Sequence, residues 1–140
     1  MTDPAIVLRK LAMLVEHVKR ARRRRPERFR DLAADVDLQD ALSMSVLVGI
    51  QEAVDVAFHV ASDDGFGLPS SYAEAFELLA RHGVLEMALA ERLVAAAGLR
   101  NRLAHGYASV DLERFWRELP SGLEALDLYA AAMARHADTS

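Results

Sequence analysis

Ala41-Leu42-Ser43-Met44-Ser45-Val46-Leu47-Val48-Gly49-Ile50-Gln51-Glu52-Ala53-Val54-Asp55-Val56-Ala57-Phe58-His59-Val60-Ala61 is the longest apolar run of the chain, and its reading decides the fold. Its length suits a membrane-spanning helix, but Gln51, Glu52, Asp55 and His59 would then have to sit in lipid. A central helix of a bundle, covered on nearly all sides, accounts for the pattern without that cost. Composition points the same way. Ala and Leu are plentiful, Gly (7) and Pro (4) are sparse, and 52% of residues are apolar, which favours an all-α protein. No strand-like alternation and no internal repeat is present.

Working outward, the central helix is predicted from about Asp35 to Ser62, closed by the turn cluster Asp63-Asp64-Gly65-Phe66-Gly67-Leu68-Pro69. Upstream, Pro4 behind Thr2-Asp3 marks a helix start, and Ile6, Val7, Leu11, Leu14, Val15 and Val18 follow helical spacing until Pro26. Phe29, Leu32 and Ala33 fit a short helical turn. Downstream, Ser70 or Ser71 caps a third helix, with Glu74 placed as in a capping box, and Gly83 stops it near His82. A fourth helix starts near Leu85. The final segment, Asp111 to about His136, is predicted helical with a break at Pro120-Ser121-Gly122.

A chain of 140 residues is expected to form one domain spanning 1–140, with enough length for a single core. Cysteine is absent, so disulfides and thiolate metal sites are excluded. The first apolar stretch is interrupted by Arg9 and Lys10, unlike a signal peptide, so a cytoplasmic location without membrane attachment is the expectation. A net charge of −4 argues against a protein that coats nucleic acid indiscriminately.

Chemistry concentrates in Arg100-Asn101-Arg102-Leu103-Ala104-His105-Gly106-Tyr107, which brings a permanent cation, an imidazole and a phenol into eight residues. Cleaving RNA without a metal needs a base of near-neutral pKa for the 2′-OH proton and a cation for the charge that builds on phosphate oxygens. Histidine, with an unperturbed pKa of about 6.5, and arginine, with a planar fork, suit those tasks. On a straight helix, five residues turn His105 about 140° away from Arg100. Gly106 tolerates the backbone that ends or kinks a helix, so His105 is expected to swing toward Arg100 there.

The Arg-x(4)-His-x-Tyr spacing, with Asn101 beside the arginine and apolar Leu103 and Ala104 between, resembles the signature of the HEPN superfamily, specifically HepT-like RNase toxins. Weaker echoes are Gly49-Ile50-Gln51-Glu52-Ala53 and His82-Gly83-Val84-Leu85. Gln51 and the arginine-rich run depart from the family pattern. The resemblance implies a four- to five-helix up-and-down bundle that forms a symmetric homodimer, with two motifs facing one cleft. It also implies a metal-independent endoribonuclease toxin that needs no cofactor, with Arg100 and His105 catalytic; Asn101 beside the arginine, and Glu52 by its place on a polar helix face, are the candidates for support. The expected substrate is tRNA or mRNA. The expected partner is a cognate minimal nucleotidyltransferase antitoxin, which silences the toxin by adding AMP to Tyr107.

Other clusters admit two readings. Lys19, Arg20, Arg22, Arg23, Arg24, Arg25, Arg28 and Arg30 place eight of seventeen basic residues in twelve positions. Arg22 to Arg25 are candidate RNA contacts, or else a solvated helix end whose cations complement the carbonyl dipole. Glu52, Asp55 and His59 share a helix face, as metal ligands or, preferably, as a polar stripe meeting Arg100. Phe115 and Trp116 fit core or dimer contacts better than base stacking. Ala95-Ala96-Ala97-Gly98 offers a small-residue surface for a dimer seam. Two readings compete with a nuclease: a non-catalytic HEPN-fold module that binds nucleotides or a partner, and a metal-binding bundle.

Overall fold

The computed structural model of the chain describes residues 3–106 and 110–139, and these contain six helices and no strand. Helix α1 spans Pro4–Arg24, α2 Phe29–Ala33, α3 Val36–Asp63, α4 Tyr72–Arg81, α5 Met87–Ala104 and α6 Leu112–Thr139. Short polar side chains set several starts. Asp3 accepts from Ala5 N at 2.9 Å, Asp35 from Leu38 N at 3.0 Å and Ser71 from Glu74 N at 3.0 Å, each pairing a backbone donor that the first helical turn leaves open. The carboxylate of Glu74 meets Ser70 Oγ at 2.5 Å instead of closing a capping box on Ser71.

Side-chain contacts give the directions of the helices. Lys10 faces Asp55, His17 lies against Gly49 and Arg24 reaches Ser45, so α1 and α3 are antiparallel. Helix α6 runs parallel to α3, because Tyr129 Oη donates to Ala53 O at 2.8 Å and His136 Nε2 lies 2.6 Å from Asp64 Oδ2. Only seven residues join α5 to α6, and beyond that connection Arg92 Nη2 donates to Ser121 O at 2.8 Å, so α5 runs antiparallel to α6.

The enclosed core is one cluster with contributions from all six helices, among them Leu14, Leu32, Ile50, Phe76, Leu93 and Tyr129. The Phe76 and Tyr129 rings meet edge-on at 5.5 Å. Burial pushes the Tyr129 phenol well above its ordinary pKa, so its hydroxyl stays a donor to Ala53 O. Helix α3 is long and apolar enough to cross a membrane, but over half of its most apolar window is buried against the other helices.

One expectation fails. Helix α6 runs unbroken through Pro120. A proline has no N–H for the carbonyl four residues earlier, here that of Trp116. That carbonyl instead accepts Arg25 Nε at 2.8 Å, a bond from α1 that supplies the missing donor. Arg25 also lies 4.5 Å over the Trp116 ring, and Trp116 Nε1 donates to Pro26 O at 2.8 Å. Tertiary contacts thus hold the helix together where its own sequence would break it.

Candidate active site

The C-terminal third of α5 carries Arg100, Asn101 and Arg102, and the helix ends at Ala104. His105 is the cap, at φ −90° and ψ 0°, with its N–H bonded to Arg102 O at 3.2 Å. The left-handed turn comes one residue later, at Gly106 with φ 100°. This timing matters. Because the backbone of His105 is still right-handed, its side chain leaves the helix near the regular helical register, about 140° round the axis from that of Arg100. The left-handed turn at Gly106 follows the histidine and so does not itself turn His105 toward Arg100. His105 is exposed, and among the described residues its ring has no hydrogen-bond partner. Tyr107 lies outside the described residues.

Arg100 is half-buried and held on two sides. Its Nε donates to Gln51 Oε1 at 3.0 Å, and its guanidinium lies 5.0 Å from the centre of the Tyr72 ring, within cation–π range. Gln51 Nε2 donates onward to Asp55 Oδ1 at 3.0 Å, while Lys10 Nζ sits 3.8 Å from Asp55 Oδ2. Tyr72 is braced in turn by an edge-on contact with Phe58 at 6.2 Å. Nη1 reaches Asn101 Oδ1 only at 3.5 Å, a weak contact.

The partner expected for Arg100 was Glu52, and the structure replaces it with Gln51. Consecutive helical residues differ by about 100° in direction, and that rotation turns Glu52 toward α1, where its charge acts on His17. Asp55 belongs to the same polar group as Gln51, but His59 turns to Asp63, 3.2 Å away. Among the described residues no three His, Asp or Glu side chains form a group able to hold a metal ion. Sequence reasoning missed Gln51 and Tyr72. The four-residue step from Gln51 to Asp55 was a usable signal for the first, whereas Tyr72 lies at the start of another helix and left none.

The arginine run divides. Arg22 pairs with Asp127 of α6 at 2.5 Å, Arg24 donates to Ser45 Oγ at 2.5 Å, and Arg25 is engaged by Trp116. Arg23 is exposed and makes no hydrogen bond or ion pair among the described residues. A separate cleft of about 570 Å³ opens between α5 and α6 over Val46, Ile50, Leu99 and Leu126, with Arg102 and Arg114 among its lining residues. Neither Arg100 nor His105 lines it. Ala95 and Ala96 face this cleft while Ala97 is in the core, so the small-residue segment does not present one continuous outer face.

Comparison with known proteins agrees with the architecture. The profile of the family described as Ribonuclease HepT-like matches residues 13–133. An mRNA nuclease HepT of Shewanella oneidensis is 29% identical over 79 residues, 56% of this chain and 59% of that protein. A tRNA nuclease HepT of Aphanizomenon flos-aquae is 32% identical over 79 residues, 56% of this chain and 54% of the relative. The matched stretch thus spans little more than half the length of either. Among solved structures, a toxin–antitoxin complex with AMP-PNP has a chain of TM-score 0.84 and 22% identity, with 95% of this chain and 99% of that one covered. A tri-AMPylated Shewanella oneidensis HEPN toxin in complex with MNT antitoxin gives TM-score 0.84 and 23% identity, covering 94% and 97%. At such identities the likeness establishes the shared helical fold.

Proposed function

Because the chain belongs to the HepT-like ribonuclease family, we propose that it is an endoribonuclease toxin, active as a symmetric dimer in the cytoplasm, with Arg100 and His105 as catalytic residues. The observation that carries this reading is the state of Arg100. Its guanidinium is oriented through Nε and one ring face, while among the described residues its Nη atoms have no strong partner. An exposed imidazole stands at the end of the same helix.

In the proposed reaction the imidazole of His105 takes the proton from a ribose 2′-OH, and the resulting oxygen attacks the adjacent phosphorus. Arg100 stabilises the charge on the equatorial oxygens, and the 5′-oxygen leaves with a proton from the second His105 of the dimer. The products are a 2′,3′-cyclic phosphate and a 5′-OH. A twofold axis would bring a second Arg100 and His105 to the same phosphate, which suits two residues whose helical register sets them about 140° apart. Substrates are tRNA or mRNA, as the names of the two HepT relatives support.

Regulation is proposed to run through Tyr107. A nucleotidyltransferase antitoxin catalyses attack of the phenolic oxygen on the α-phosphorus of ATP, pyrophosphate leaves, and each AMP added brings a negative charge close in sequence to the catalytic pair. The tri-AMPylated toxin of the same fold supports this assignment.

The test is cleavage of a labelled RNA by the purified protein in excess chelator, with products examined for a cyclic phosphate end. Arg100→Ala and His105→Ala are each expected to lower the cleavage rate by about 10²-fold or more while melting temperature holds. A wild-type rate in either variant refutes the catalytic assignment. An inactive wild-type protein that still binds RNA or the transferase would favour the non-catalytic module. Unchanged mass at Tyr107 after incubation with the transferase and ATP would refute the regulatory part alone.

A further inference from the structure

We propose that Gln51 is a positioning residue for Arg100, and that its being an uncharged amide is what leaves the guanidinium its full charge for a phosphate. The inference rests on the endoribonuclease reading and deepens it.

The hydrogen bonds orient the Gln51 amide unambiguously. Arg100 Nε–H can only donate and the Asp55 carboxylate can only accept, so the amide oxygen faces Arg100 and its NH₂ faces Asp55. Asp55 thereby fixes the amide without touching Arg100, and Lys10 balances its charge from α1 at 3.8 Å. Tyr72 supports the guanidinium with a ring face, an attraction that adds no formal charge. The group therefore binds Arg100 with one neutral acceptor and one aromatic surface. A carboxylate in place of the amide would neutralise the cation, lose the donor to Asp55 and stand beside a like charge. Orientation and undiminished charge are the two requirements of a transition-state cation, and this arrangement meets both.

The test uses the full chain with ¹⁵N-labelled arginine, taking Arg100→Ala to identify the Arg100 Nε–H signal. Gln51→Leu removes the acceptor at similar volume. It is expected to speed Nε–H exchange about fivefold, the worth of one net hydrogen bond, and to lower kcat between about tenfold and a hundredfold, as misplacement of a reacting group does. KM for RNA should stay within about twofold, since binding contacts elsewhere are untouched. Gln51→Glu should keep the Nε–H protected yet lower kcat and weaken RNA binding together.

Melting curves accompany both variants. Either wild-type exchange or wild-type kcat in Gln51→Leu would overturn the proposal, as would an activity loss that only follows the unfolded fraction. Full activity in Gln51→Glu would overturn the claim about charge. If the wild-type protein cleaves no RNA, the endoribonuclease reading fails first, and the catalytic consequence of the clamp fails with it. Unaltered Nε–H protection in Gln51→Leu is the result that sinks this inference specifically.

Discussion

The ends of α1 and α5 both carry arginines, and they use them in opposite ways. At the end of α1, Arg22, Arg24 and Arg25 are tied to Asp127, Ser45 and Trp116, so the densest charge of the sequence largely fastens α1 to α3 and α6. At the end of α5, Arg100 is held by an amide and a ring, with no carboxylate hydrogen-bonded to it. The difference shows that density of charge is a poor guide to function. What counts is which donors of a guanidinium the fold leaves unused, and what sign of partner it supplies.

The largest effect that would sharpen this contrast lies at α5. Arg100→Ala should lower the rate of RNA cleavage by about 10² to 10³-fold, the usual loss for one transition-state donor, with a melting temperature near wild type. A cleavage time course and a thermal melt read the two separately. At α1 the pattern should invert. Trp116→Ala removes the ring, the Pro26 contact and the support of Arg25, and about 3 kcal/mol of stability should go with it, measured by urea unfolding, while cleavage per folded molecule persists.

Smaller effects grade the arginines of α1. Arg25→Ala should cost about 1 to 2 kcal/mol, because it removes a cation–π contact and strands the carbonyl that Pro120 leaves free. Arg22→Ala should cost about 0.5 kcal/mol, as its ion pair with Asp127 is partly exposed. Arg23→Ala should leave stability unchanged. If the run also meets RNA, Arg23→Ala is the variant that lowers the salt slope of RNA binding, by about 1; an unchanged slope would confine the whole run to a structural role.

The smallest effect concerns pH. Burial holds His17 below its ordinary pKa of 6.5, with Arg20 acting in the same direction, and its Nδ1 is enclosed without a hydrogen bond. The unfolded chain then takes up the proton first as pH falls. The contribution of neutral His17 is therefore complete above 6.5 and declines below it. A His17→Asn variant should show a shallower loss of melting temperature between neutral and mildly acidic pH, and an identical slope would refute the assignment.

The sequence by itself determined the elements. Helical spacing in α1, the long apolar run of α3, and stop signals at Gly83 and Gly106 are local matters of side-chain periodicity and backbone freedom, and each appears within a residue or two of where it was expected. The motif residues and their place at a helix end were legible for the same reason. Tertiary structure decided what crosses between helices. It carried α6 through Pro120 because α1 supplied a donor to the Trp116 carbonyl. It also chose Gln51 over Glu52 as the partner of Arg100, since a single residue step turns a side chain about 100° toward a different neighbour. Periodicity along one helix names the residues that share a face. Only packing fixes what that face meets, and with it which charges are paired and which are left to act.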